Sequence, residues 1–97
     1  MEKLKPMHPG EVIKLLYLEP LAISAGELAR RLMVPRTRIE RIVKTQTSIT
    51  PDTALRLARH FDTTPEYWMN MQNGFDLRRA EEQSSGTLSR IEVLESA

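Results

Sequence analysis

Arg36, Arg38, Arg41 and Lys44 lie close together in the chain, with Glu40 the one acid among them. At about 100° per residue, Ile39, Ile42 and Val43 fall on one side of a helix. The opposite side is centred on Thr37 and Arg41, with Lys44 and Glu40 beside them. Arg38 sits on one flank, and Arg36 on the other, near the N-terminus. Arginine suits base reading, because its planar fork bonds guanine O6 and N7 together, and one such pair gives roughly 1–3 kcal/mol of discrimination. Thr37 can place a methyl against thymine or bond a phosphate. A run of charge on a helix is ordinarily a solvated face. Three arginines opposite an Ile-Ile-Val stripe favour contact with a DNA groove instead.

Such a helix needs a partner to hold it. Ser24-Ala25-Gly26-Glu27 predicts a capping box, in which the serine hydroxyl takes an orphan N–H and Glu27 reaches back. Leu28, Ala29 and Leu32 then share a buried face, leaving Arg30 and Arg31 outside. Arg30 suits either a phosphate contact or a plain solvated surface. Gly26 leaves room for another backbone to approach. The tight stretch Met33-Val34-Pro35 follows, and the basic helix is expected to start at Pro35. A short helix, a tight turn and a basic second helix predict a helix-turn-helix reading double-stranded DNA. Residues 24–44 hold six basic residues against two acids.

The rest of the chain supplies three more helices. Residues 1–7 read as a loose arm, with Lys3 and Lys5 near phosphate at most. A first helix begins near His8-Pro9 and carries Val12, Ile13, Leu15, Leu16 and Leu18. Pro20 is expected to stop it, because the residue before a proline is pushed out of the α region. Leu21 and Ile23 should then enter the core. After the polar loop from Thr45 to Ser48, Thr50-Pro51-Asp52 is a strong helix start. That fourth helix buries Ala54, Leu55, Leu57, Ala58 and Phe61, with Arg56 and Arg59 outside. Thr64-Pro65-Glu66 repeats the signal and opens a fifth, longer helix. Tyr67, Trp68, Met71 and Phe75 share one side of it and serve either as a dimer or toxin interface or as a cap on the core. Gly74 is a place for a kink or a stop. The run EEQSSG from Glu81 to Gly86 reads as a linker, and Thr87 to Ala97 fits a helix, a strand or a tail equally well.

Composition bounds the function. The chain has 97 residues, no cysteine and a net charge of +1. One domain is expected, with no disulfide or thiolate metal site. The start of the sequence is polar, and no stretch reaches the roughly 18 apolar residues of a membrane span. A soluble, cytoplasmic protein is the expectation. His8 and His60 have no third ligand at sensible spacing. Ser24 has no base beside it and is explained by capping. No enzyme, metal or cofactor is read here.

The segments HPGEV, ISAGELARRLMVPRTRIERIV, SITPDTALRLARHF and TTPEYWMNMQNGFDLR together resemble the HigA antitoxins. These are small helix-turn-helix regulators of the xenobiotic-response-element (Cro/C1-like) class, also called virulence-associated protein I. The helix-turn-helix part alone specifies only the superfamily, whereas SITPDTALRLARHF followed by TPEYW points to this subfamily. The resemblance implies an all-α, five-helix, lambda-repressor-like domain over residues 8–80 with a C-terminal dimerisation helix, followed by a polar, acidic tail over 81–97. It implies a homodimer on a palindromic operator, repressing its own operon. It also implies a cognate toxin of RelE-like fold, an mRNA endonuclease that the antitoxin neutralises. Arg36, Thr37, Arg38, Arg41, Lys44, Ser24 and Arg30 are the expected DNA contacts. Two departures from the family pattern stand out. Ala25 replaces a glutamine that commonly clamps a phosphate, and Lys44-Thr45-Gln46-Thr47 replaces an Asn-Gly with a basic pair. These leave two other readings open: a stand-alone repressor of the same class, or a protein-binding module with weakened DNA binding.

Overall fold

The computed structural model describes residues 6–95, and all its regular structure is helical. Helix α1 runs continuously through three segments: Pro9–Val12, a π-helical Ile13–Leu18, and Glu19–Leu21. It is followed by α2 (Ala25–Leu32), α3 (Arg36–Val43), α4 (Pro51–Phe61) and α5 (Pro65–Leu88). The expected five-helix architecture is the one observed.

Side-chain caps set the starts of four helices. His8 Nδ1 accepts from the Gly10 N–H at 2.9 Å, and Ser24 Oγ accepts from the Glu27 N–H at 3.0 Å. Thr50 and Thr64 do the same for the Thr53 and Tyr67 N–H groups. Each such cap is worth about 1 kcal/mol. At Ser24 only half of the expected box forms, because the Glu27 carboxylate turns forward to Arg30 and Arg31.

Four helix ends close on non-glycine residues in the left-handed region: Ala22, Met33, Thr45 and Asp62. After α3 the Gln46 N–H reaches Arg41 O and the Thr45 N–H reaches Ile42 O, which is a Schellman closure.

The core is built where the helices cross. Ile13, Leu28, Ile39, Ile42, Leu57 and Trp68 are its largest apolar side chains and are fully buried. Each contributes roughly 1.5–3 kcal/mol relative to exposure. Trp68 Nε1–H donates to Thr63 Oγ1 at 2.8 Å, so its one polar atom is satisfied.

Several expectations fail, each for a local reason. Pro20 does not stop α1; Glu19 stays αR and the helix runs on to Leu21. The Glu19 N–H bonds Lys14 O, five residues back. This wider turn makes room for the proline ring, which a regular α turn would push against the Leu16 carbonyl. The same turn sets Ile13 and Leu18 on one face and swings Leu15 and Leu16 out to solvent. Leu21 is exposed rather than in the core, while Ile23 packs partly buried against it. Leu55 is also exposed, one step off the stripe formed by Ala54, Leu57 and Ala58.

Gly74 neither stops nor ends α5, and the Glu81–Gly86 linker is helical. Arg78 and Glu82 pair at 3.0 Å across one turn there, a spacing that supports an isolated helix. Residues 91–95 carry no regular structure. The expected arm residues Lys3 and Lys5, and positions 96–97, lie outside the described residues.

Candidate nucleic-acid interface

The face opposite Ile39 and Ile42 on α3 is open to solvent, and Arg36, Thr37, Arg41 and Lys44 are all exposed on it. Arg38 is half-exposed on its flank. Ser24 and Arg30 lie on α2, the serine spent on its cap and Arg30 held by Glu27. Two arginine fork contacts, from Arg30 first and Arg31 second, pull the Glu27 carboxyl down to about 2.

The arginines of α3 are not equivalent. Arg36 pairs loosely with Glu40 at 3.4 Å across one turn. Its stem crosses the start of α2 over Gly26, where an added Cβ would stand 2.9 Å from Arg36 Cδ. The room left by Gly26 is thus used by a side chain rather than by another backbone. Arg38 donates to Asp52 at 2.6 Å. Neither Arg41 nor Lys44 makes an ion pair among the described residues, so both cations stand open on the face.

Sequence reasoning missed what holds α3 in place. Gly10 of α1 lies against its last turn so closely that a Cβ there would come within 1.7 Å of Ile42 O. No glycine-only pattern marks such a contact, because the partner is distant in the chain. The first helix begins at His8-Pro9 as expected, but His8 is also buried. Its Nδ1 accepts from Gly10, so the ring proton is on Nε2, and the ring hydrogen-bonds the Thr47 backbone in the loop after α3. Its other neighbour is Phe75 of α5, edge-on at 5.0 Å. Burial lowers the His8 pKa below its ordinary value.

Buried Gln72 adds a second tie. Its Oε1 accepts from the Ile49 N–H at 2.8 Å, and its Nε2 donates to Asp76. The signal was present in the sequence: Gln72 follows Trp68 by four residues and so shares its inward face.

Of the four aromatic and methionine residues singled out on α5, only Tyr67 is exposed. Trp68 is fully buried, Met71 packs partly buried against the core, and Phe75 backs onto His8. Among the described residues no group of His, Asp and Glu is arranged to hold a metal, and no helix is long and apolar enough to cross a membrane.

A helix-turn-helix family model matches residues 15–68. Virulence-associated protein I of Dichelobacter nodosus is 47% identical over 78% of this chain and 70% of its own length. Antitoxin HigA-1 of Vibrio cholerae is 33% identical over 77% of this chain and 70% of its own. The solved structure of Pseudomonas aeruginosa antitoxin HigA with the higBA promoter superposes with a TM-score of 0.88 at 37% identity, covering 93% of this chain and 99% of that one. Antitoxin GraA in complex with its operator gives a TM-score of 0.88 at 35% identity, covering 99% of this chain and 98% of that one.

Proposed function

The chain belongs to the helix-turn-helix family of virulence-associated protein I and the HigA antitoxins, and from that premise we propose that it is a sequence-specific DNA-binding antitoxin. It reads a near-palindromic operator as a dimer, represses its own operon, and neutralises an mRNA endonuclease of RelE-like fold. One observation carries the DNA reading: α3 presents Arg36, Thr37, Arg41 and Lys44 on one open face, while its other face is locked by Ile39, Ile42 and Gly10. Two relatives of matching fold were solved with promoter or operator DNA. The dimer is supported by the far half of α5 and the segment after it, where Leu77, Leu88, Ile91, Val93 and Leu94 all stand exposed.

Changing Arg36, Arg38 and Arg41 together to alanine tests the site. Operator binding in a gel shift should vanish while the circular-dichroism spectrum and toxin binding persist. Retained operator affinity removes the proposed interface.

A second reading has its own observation. Two of the three arginines of α3 are engaged by acids, and Ala25 stands where a phosphate-clamping glutamine is common in the family. This favours a protein-binding module with a weakened grip on DNA. A salt titration separates the two, because a DNA binder loses log affinity linearly with log salt. A stand-alone repressor shares the DNA chemistry and differs only in its neighbour; the gene next to this one encodes a small toxin frame if the antitoxin reading holds.

A further inference from the structure

Asp52 lies in the first turn of α4, yet it faces α3. Its Oδ2 accepts from Arg38 at 2.6 Å and from Arg56 Nε at 3.0 Å. Arg56 in turn donates from its Nη1 to Leu32 O at 2.9 Å and to Met33 O at 3.3 Å. Those two carbonyls close α2 and open the turn before α3. A single chain of charge-assisted hydrogen bonds therefore runs from the turn, through Arg56 and Asp52, to a side chain on the flank of the reading helix. The Arg38 end borders an open groove of about 440 Å³ lined also by Thr37, Arg41 and Thr47.

This arrangement fits poorly with two simpler roles. As a stability device it is weak: both arginines and the acid are more than a third exposed, and pairs at such exposure contribute little. As a phosphate contact it is counterproductive, because a carboxylate beside the DNA face repels the backbone. What it does accomplish is to fix one arginine fork. A free arginine on a helix surface samples many rotamers and must be ordered on binding. One held by a carboxylate, itself anchored to a turn, arrives already oriented.

We propose that Asp52 is a positioning residue for DNA reading, holding Arg38 in the orientation that contacts base edges and restraining it from reaching a phosphate. The proposal rests on the DNA-binding function proposed above and adds to it a determinant of sequence discrimination outside α2 and α3. Asp52 trades general affinity for specificity: removing its charge should free Arg38 as a loose cation near the backbone.

The test is Asp52→Asn in the full chain. Affinity is measured for the duplex that the wild-type protein selects from a random pool, and for a shuffled duplex of the same composition. The selected-to-shuffled ratio should fall about tenfold, within the range one base contact carries. Affinity for the shuffled duplex should hold or rise, and its log–log salt slope should steepen by about 0.9, one additional phosphate contact. In an Arg38→Ala background, Asp52→Asn should leave the ratio unchanged, since the residue it positions is gone. Asp52→Glu keeps the first-turn charge and serves if the asparagine variant fails to fold; its longer arm misplaces Arg38, so the ratio again falls. Equal losses on both duplexes would mark a merely structural tie and overturn the proposal, as would an unchanged ratio in either variant. A wild-type protein that selects no sequence at all overturns the DNA-binding function and this inference together.

Discussion

Thr45 is a β-branched residue at φ 61°, a region that such side chains seldom enter. It sits there because α3 must end in a Schellman closure before the loop to α4, and the two bonds from Thr45 and Gln46 require a left-handed residue between them. Thr45→Gly should therefore raise stability by about 0.5–1 kcal/mol, the gain from relieved strain exceeding the added entropy of the unfolded chain. Urea unfolding checks this, and a variant less stable than wild type would show that the threonine has a compensating partner. Gly10 is the opposite case. Its backbone is ordinary α-helix, and what it needs is space: the Ile42 carbonyl occupies the volume a methyl would take. Gly10→Ala should cost about 1–3 kcal/mol by overpacking, and more if α3 cannot shift. Because any shift displaces α3, operator affinity should fall more than stability alone accounts for when measured well below the melting temperature. Unaltered affinity and stability together would mean that the α1–α3 contact yields easily.

At the scale of elements, much of the fold was legible because helix starts are written locally. Ser24, Thr50-Pro51-Asp52 and Thr64-Pro65-Glu66 each place a cap, a proline or an acid where the first turn needs it, and each opens a helix as expected. What the sequence hid is non-local. The π turn of α1 is set by how the chain accommodates Pro20 rather than by a periodicity. The arginines of the site were visible by type and spacing, but the acid that holds Arg38 is 14 residues away and on another helix. The tie between α3 and α5 was invisible for the same reason, since His8 joins three elements at once: it caps α1, bonds Thr47 after α3 and packs on Phe75 of α5. This junction predicts a pH dependence. Burial lowers the His8 pKa, while Thr47 and the charges of Asp76 and Glu11 act in the opposite sense and Arg79 reinforces the lowering. The unfolded chain therefore binds the proton more readily than the folded one. The junction's stability is complete above the ordinary value of 6.5 and is lost as pH falls below it towards the folded value. Protonation also removes the Nδ1 acceptor that caps α1. Melting temperature should fall as pH drops through this window, and His8→Asn, a good cap that does not titrate, should flatten the profile there. A profile of unchanged steepness in that variant would assign the effect elsewhere.

At the scale of the molecule, the shape is lopsided: 55 Å long but only 28 by 26 Å across. The length comes from α5. Its buried side chains are Trp68 and Gln72, both near its start, so the helix beyond Asp76 leaves the core and carries Leu77 and Leu88 into solvent, followed by Ile91, Val93 and Leu94. A helix so poorly buried on its own chain gains most of its stability from packing on something else. If that partner is a second copy, as proposed here, two reading heads are linked. The second contact on a two-fold operator then becomes intramolecular, a gain that can reach 10²–10⁴ in affinity, with half-sites about 34 Å apart. Deleting Ser84 to Ala97 separates this part from the rest. None of the removed residues among those described is buried, so the monomer fold should lose less than about 1 kcal/mol. Dimerisation should weaken, and with it the concentration dependence of the melting temperature that a dimer shows. Operator affinity should fall at least tenfold, while affinity for a single half-site stays within about twofold, because α3 and its supports from Gly10, His8 and Gln72 are untouched. Sedimentation equilibrium and gel shifts on whole and half operators read these quantities directly. A truncated chain that still dimerises, or that binds the whole operator as well as the full chain does, would move the dimer interface away from the end of α5, to exposed apolar residues elsewhere such as Leu15 and Leu16 of α1 or Leu55 of α4.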